Sequence, residues 1–419
     1  MNIYQNKIFI FIIINYLFLS KILVYITCIT IVENNILIKT YKFRAYPNKA
    51  TEAQTSIVLE LCRQMYNLAL EQRIMIYKQS KKSLSCYDQQ NQLPDFKKEF
   101  PQFKQVPSQS LQDVLQRLDK AYQAFFRRVK TGKISGFPRF KGYQRYDSFT
   151  LTQYGYKLEE SNLILTNVGV FKLKLHRQIP LEAKAKIKTI TIYRKNSKWF
   201  VLFVCDNIIP KILPKVNRSI GIDVGCESFL TDSNGLKVEN PRFLNKSTER
   251  ITQLSQKLSK QKMGSNRRKK TRLLLAKKHE KVSNQRLDFQ HKVAKHYVKH
   301  YDLICHEKMQ AFKSFRGLNR SMRDMAWFQF FDILSYKAEE AGRKIVKVPA
   351  KNTSQQCSGC GEIVLKDLSV RIHSCPHCKL TLDRDLNAAL NILRLGTSLQ
   401  DPTYLNNSNL VNFDNIFVK

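Results

Sequence analysis

The sequence predicts a multidomain α/β protein: an N-terminal β-rich domain with inserted helices, then an α/β domain interrupted by a small four-cysteine module. Three observations carry this expectation. The chain has 419 residues, enough for two or three domains. Residues 148–206 are dense in short strand patterns, whereas strand and helix patterns alternate after Pro214. Two C-x-x-C pairs, Cys357/Cys360 and Cys375/Cys378, stand fourteen residues apart. At 43% hydrophobic and 11% aromatic the chain can bury sizeable cores, which excludes a disordered polypeptide.

Residues 1–35 are an apolar extension. The runs IFIFIIINYLFL (8–19) and ILVYITCITIV (22–32) together are long enough to span a bilayer, but Asn15 and Lys21 interrupt them and no small-residue cleavage site follows. We expect this extension to be spurious upstream sequence, the start lying near residue 36, or else dispensable, so that its removal leaves activity intact. A membrane anchor through residues 8–32 is the competing reading.

The first domain, 36–214, opens with IKTYKFRAYP (38–47), which alternates and ends in proline, a strand. Asn48 can cap a helix running to about Tyr77, with Leu59, Leu61, Met65, Leu68 and Ile76 on or near its apolar face. Residues 80–107 are polar and proline-punctuated, a linker or loop. Ser108 can cap a second helix over 108–131, in which Leu111, Val114, Leu115, Leu118, Tyr122, Phe125, Phe126 and Val129 follow helical spacing. GFPRFKGYQRY (136–146) then interleaves Arg139, Lys141 and Arg145 with Phe137, Phe140, Tyr143 and Tyr146. That mixture suits base stacking with phosphate contact, and suits a turn with ordinary packing aromatics equally well. The strands that follow read as a small β-barrel or sandwich carrying the inserted helices 48–131.

The second domain, 215–350, begins with SIGIDVG (219–225), a buried strand in which Gly221 and Gly225 are expected to let a nucleic-acid backbone come close. Its insertion, 248–299, is helical and basic: residues 257–281 hold eleven Lys/Arg and one acid, Glu280. Charges so dense repel one another unless an anion neutralises them. Arg267, Arg268, Lys269, Lys270 and Arg272, with Arg139 and Lys141, are therefore the candidate nucleic-acid contacts. Strand YDLICHE (301–307), a helix around 323–342 and strand KIVKV (344–348) follow. The four-cysteine module spans 351–381, a helix from about 385 to 395 lies within 382–396, and 397–419 is a polar tail.

Charge indicates the partner. With 71 Lys+Arg against 33 Asp+Glu the net charge is +38, which implies a polyanion: nucleic acid first, an anionic membrane surface as rival. Of the ten cysteines, Cys28, Cys62, Cys86, Cys205, Cys226 and Cys305 are scattered singly, so no disulfide framework is present and a reduced, cytoplasmic, nucleoid-associated protein is expected. Cys357, Cys360, Cys375 and Cys378 suit one Zn²⁺ held tetrahedrally, the spacer forming a hairpin between the pairs and Gly359, Gly361 and Pro376 easing the turns. Four thiolates leave no open position, so the ion is structural, and His377 is expected to face out.

Three acids follow or open apolar elements: Asp223 in GIDVG, Glu307 at the end of YDLICHE and Asp385 in TLDRDLNAALNI. Burying such carboxylates is costly unless they coordinate something. Together they make a hard-oxygen site for two Mg²⁺ or Mn²⁺ ions acting on a phosphodiester. Taken singly, Asp385 could be a helix cap and Glu307 a salt-bridged edge residue.

In this order, GIDVG, the basic helices, the acid after an apolar strand, the C-S-x-C-G…C-P-x-C ribbon and DRDLNAALNI resemble the TnpB (OrfB) family of insertion-sequence proteins, relatives of type V CRISPR effector nucleases. TYKFRAYPN resembles the family's opening and KNTSQQCSGCG its approach to the ribbon; the likeness covers about residues 39–395. It implies a RuvC-like, RNase H-type nuclease fold, with Asp223, Glu307 and Asp385 as metal-binding catalytic residues and Asp385 preferred over Asp383. It also implies a guide RNA transcribed from the element and target DNA as the second partner; no membrane partner is expected, and a monomer is compatible with the sequence. The sequence departs from the family where Lys308-Met309 stands in place of the frequent Asp-Leu. The expected function is an RNA-guided, Mg²⁺-dependent DNA endonuclease. The alternatives are a catalytically inactive nucleic-acid-binding regulator of the same family, or a transposase acting directly in DNA transposition and recombination.

Overall fold

Alternation along LIKTYKFRAYP builds strand β1 (Leu37–Pro47), and Asn48 caps helix α1 (Lys49–Ser80) by accepting the Thr51 amide at 2.7 Å. The computed structural model describes residues 36–179, 186–309, 324–367 and 369–400. The apolar stretch 8–32, and with it the question of a membrane anchor, lies outside them. Contacts divide the chain into two units, one ending at Ile209 and the other beginning at Pro210.

In the first unit, residues 80–107 are not the expected loop. Ser85 and Asp88 form a reciprocal capping box that starts α2 (Cys86–Asn91); α3 (Leu93–Glu99) and a 3-10 turn (Pro101–Gln105) follow. Pro94 and Pro101 do not break these helices, because they occupy first-turn positions, where the missing N–H costs nothing. Ser108 does not cap α4 (Ser108–Lys130) either: Pro107 holds the cap position, and the Ser108 hydroxyl accepts from Lys97 Nζ at 2.9 Å. Leu111, Val114, Leu115 and Leu118 are buried, whereas Phe126 and Val129 are exposed.

Six further strands, β2 (Ser148–Leu151), β3 (Tyr156–Glu159), β4 (Asn162–Leu165), β5 (Gly169–Lys174), β6 (Lys186–Lys195) and β7 (Lys198–Ile208), join β1 in one sheet of order β2-β6-β7-β1-β5-β4-β3. Every ladder is antiparallel. Alternate residues of β7 (Trp199, Val201, Phe203, Cys205) share a core with Tyr41, Phe43 and Ala45 of β1 and with the buried residues of α1 and α4. Among the described residues no ladder joins β2 to β3, so the sheet has two ends where a barrel would close.

The second unit holds a mixed sheet of β8 (Ser219–Asp223), β9 (Ser228–Asp232), β10 (Lys237–Glu239), β11 (Leu303–Glu307) and β12 (Lys344–Val348), in the order β10-β9-β8-β11-β12. The first three pair antiparallel; β8, β11 and β12 are parallel. Helices α5 (Phe243–Ser259) and α6 (Asn266–His300) carry the basic stretch, and α7 (Trp327–Glu340) precedes β12. Ile220, Ile222, Ile304, Tyr297, Phe330 and Leu334 form the core beneath this sheet.

A hairpin of β13 (Ile372–Ser374) and β14 (Thr381–Asp383) leads into the last helix, α8 (Arg384–Gln400), which crosses β8, β11 and β12. Gly221 is needed for that crossing. A Cβ there would run into the Ala389 carbonyl and lie 2.7 Å from the Leu393 amide nitrogen, so this glycine admits α8 rather than a nucleic-acid backbone. Among the described residues no helix is long and apolar enough to cross a membrane.

Candidate functional site

Two parallel strands end side by side. His306 pairs with Ile222 in the β8–β11 ladder, so the next residues, Glu307 and Asp223, close neighbouring strand ends. The carboxyl ends of strands are where open α/β sheets bind ligands. Asp385 arrives from the first turn of α8, with Oδ2 3.6 Å from where a Gly225 Cβ would sit. Burial, then the charges of Glu307 and Asp385, push the Asp223 carboxyl well above its usual range. Burial and the neighbouring Asp383 raise Asp385; burial raises Glu307 against a hydrogen bond from the Thr353 hydroxyl. Two carboxyls at strand ends and a third on α8, with Asp223 raised by the charges of the other two, fit a divalent cation, which would relieve both the desolvation and the repulsion.

Neither single-residue alternative for these acids holds. The cap of α8 is Asp383, not Asp385: its Oδ1 accepts the amides of Asp385 (3.0 Å) and Leu386 (3.2 Å), and its Oδ2 takes Lys237 Nζ at 2.7 Å. Against partial burial, these bonds hold the Asp383 carboxyl below the usual range. Asp383 is thereby committed, and Asp385 is left to face the strand ends. Glu307 lies on a central strand, between β8 and β12.

The four thiols gather more tightly. Cys357 and Cys378 Sγ are 3.6 Å apart, Cys360 and Cys375 Sγ 3.5 Å, and all four lie within 4.8 Å of one another. A tetrahedron of sulfurs about 2.3 Å from a central ion has edges of about 3.8 Å, so the set could hold one metal. Among the described residues this is the set of three or more Cys, His, Asp or Glu ligand atoms that gathers closely enough to hold an ion. The Gly361 and Lys379 amides donate back to the Cys357 and Cys375 carbonyls, both at 3.0 Å, and both residues have positive φ, 84° and 61°. Hydrogen bonding from the Cys378 backbone draws the Cys375 thiol down to about 6. Against a bond from the Glu362 backbone, desolvation and the adjacent sulfurs push Cys360 up to about 12. The expected spacer hairpin is displaced: β13 and β14 enclose the second pair instead of joining the two. His377 is exposed, as expected.

Helix α8 is tied to this module by two buried asparagines. Asn387 Oδ1 accepts the Ser358 amide at 2.9 Å and its Nδ2 donates to the Gln356 carbonyl at 2.8 Å. Asn391 Nδ2 donates to the carbonyls of Thr353 (2.9 Å) and Gln356 (2.6 Å). Thr353, Lys237, Asn387 and Asn391 escaped the sequence reading. The available signal was a pair of asparagines four residues apart on the apolar face of DLNAALN, a position that demands buried partners.

The candidate nucleic-acid contacts separate. Arg267, Lys269, Lys270 and Arg272 are exposed on α6, and Arg139 is exposed in its loop. Arg268 is committed elsewhere: its guanidinium binds the Leu258 and Gln261 carbonyls and ties α5 to α6. Lys141 is half-buried, its amide donating to Asn67 Oδ1 at 2.7 Å and its ammonium 5.2 Å from the Tyr66 ring centre. Phe137 meets Tyr122 and Phe125 edge-on, both at 5.4 Å, yet stays exposed, as do Phe140 and Tyr143, while Tyr146 is buried. The 136–146 segment therefore combines a packed anchor with outward aromatics.

Three family models match: a helix-turn-helix domain of OrfB proteins at residues 36–82, an OrfB family described as Probable transposase at 204–313, and a Cas12f1-like TNB domain at 327–392. Residues 36–82 here form β1 and the single long helix α1. A Streptomyces pristinaespiralis protein named as a candidate RNA-guided DNA endonuclease is 30% identical over 366 residues, 85% of this chain and 89% of its own. An Escherichia coli K12 protein similarly named, InsQ, is 27% identical, covering 86% and 92%. The fold is similar to that of the protein in a Cas12f1–sgRNA–target DNA complex, with TM-score 0.55 and 16% identity over 86% of this chain and 99% of that one. By sequence likeness across most of its length, the chain belongs to the TnpB (OrfB) family.

Proposed function

We propose that the protein is an RNA-guided, divalent-metal-dependent DNA endonuclease with a RuvC-like site. The observation that carries this reading is that Asp223 and Glu307 end adjacent parallel strands while the charges of Glu307 and of Asp385, from α8, both act on Asp223, in a family whose members are named as RNA-guided DNA endonucleases. Two Mg²⁺ or Mn²⁺ ions held there would activate a water and stabilise the leaving oxygen of a phosphodiester. Asp383 and Lys237 hold Asp385 in place. The cysteine quartet would bind one structural Zn²⁺ and, through Asn387 and Asn391, brace the helix that carries Asp385.

Target choice would rest on pairing between a guide RNA and one DNA strand, with the protein holding the heteroduplex through its backbone. Arg139, Arg267, Lys269, Lys270 and Arg272 supply exposed cations for that role, and Phe140 and Tyr143 exposed rings. The test is to purify the full chain, sequence the RNA that comes with it, and assay cleavage of DNA matching that RNA. Element-derived RNA, with cleavage lost in Asp223→Ala while RNA binding persists, is expected. Absence of bound RNA, or an Asp223→Ala protein that still cuts, overturns the reading.

A further inference from the structure

We propose that Thr353 is a positioning residue for Glu307, and that through it the four-cysteine module sets the geometry of the carboxylate site. This rests on the proposed two-metal reading of Asp223, Glu307 and Asp385. The Thr353 hydroxyl donates to Glu307 Oε1. It has one proton to give, and its other acceptor in reach, the Ala350 carbonyl, is at the long distance of 3.5 Å. Glutamate has three side-chain torsions and, at a strand end, many ways to point. A single donor fixed to one of its oxygens selects among them and leaves the other oxygen to face the site.

The donor is itself held. Thr353 is 3% exposed, and its carbonyl accepts from Asn391, on the helix that carries Asp385. Three residues on, the Gln356 carbonyl accepts from both Asn387 and Asn391, and the next residue is Cys357, whose sulfur lies in the quartet. The segment 353–358 is therefore pinned at one end to α8, at the other to the thiols, and presents its hydroxyl to Glu307 between them. Groups that bond to a metal's ligands orient those ligands and tune the site, and their loss typically lowers metal affinity on the order of 10–100-fold. This gives the quartet a task at the carboxylates without any contact between the two.

The test is Mn²⁺ binding to the purified protein without nucleic acid, by calorimetry, on four proteins: wild type, Thr353→Val, Thr353→Ser and Asp223→Ala. Valine keeps the shape and removes the donor; serine keeps the donor. The proposal expects Thr353→Val to weaken Mn²⁺ on the order of tenfold or more, Thr353→Ser to bind like wild type, and both to keep wild-type melting and thiol-bound zinc. Wild-type affinity in Thr353→Val, or equal weakening in the serine variant, overturns it. Loss of zinc from Thr353→Val would assign the residue a structural role and also overturn it. If Asp223→Ala binds Mn²⁺ as wild type does, it is the carboxylate-site reading that fails instead.

Discussion

At Gly221 the decisive feature is a missing methyl. The sequence places a glycine between two isoleucines of a buried strand, and a close approach there is foreseeable; which group approaches is not. Ala389 and Leu393 of α8 occupy the space. Gly221→Ala should over-pack the crossing and cost about 1–3 kcal/mol, whereas at Gly225 an added methyl meets its nearest atoms at 3.4 and 3.6 Å and should be tolerated in folding. Denaturant unfolding of the two variants checks this, and equal stabilities would refute it. The carboxylates make a second prediction at the same scale. Asp223 has its folded pKa raised by burial and its acidic neighbours, so the folded state binds more protons than the unfolded one. Its contribution to stability therefore falls as pH rises from the ordinary carboxylate range through the raised value. In metal-free buffer at pH 7.5, Asp223→Asn should melt above wild type, and the gain should shrink as pH falls toward 4. A variant melting below wild type at pH 7.5 would show that the site is not strained by charge.

At the scale of elements, α8 is the part that joins the most. It covers the sheet, delivers Asp385 and grips the cysteine module, and these tasks divide between two faces of one helix: Asp385, Ala389 and Leu393, at four-residue spacing, on the strand side, Asn387 and Asn391 on the 353–358 segment. Asn391→Ala leaves the buried Thr353 carbonyl without its donor and should cost about 1–3 kcal/mol. Hydrogen exchange in 353–364 should rise in the same variant; unchanged protection would mean that the asparagine does not hold the segment. Cys375→Ser should lower the bound zinc and impair cleavage through the same connection. Element legibility followed local physics. Helix α1, with its Asn48 cap, and β12, with its apolar run, are readable because the signals are local. The short helices of 80–107 were obscured because proline reads as a breaker until its first-turn position is known. Ser108 is the first residue inside its helix, with Pro107 at the cap position, and its hydroxyl serves a lysine eleven residues upstream, a partner that no local pattern reveals.

At the scale of the whole molecule, a net charge of +38 makes salt dependence the natural measurement. Each phosphate contact removed should reduce the slope of log affinity against log salt by about one. Replacing Arg267, Lys269, Lys270 and Arg272 by glutamine should flatten the slope for guide RNA or target DNA, whereas Arg268→Gln should leave it unchanged and instead loosen the α5–α6 connection. A slope that Arg268→Gln changes as much as Arg267→Gln would put both in the interface. By itself the sequence determined the mixed α/β class and the four thiols that gather, and it nominated three acids and a polyanionic partner, because residue type, spacing and net charge are properties of the chain alone. Only the tertiary structure decided that Asp383 caps and Asp385 faces the strand ends, that Gly221 serves a helix, that Arg268 is spent on carbonyls, and that Thr353 reaches Glu307. Each of those assignments depends on which distant group fills a given hydrogen bond or volume, and that is settled by packing rather than by neighbours in sequence.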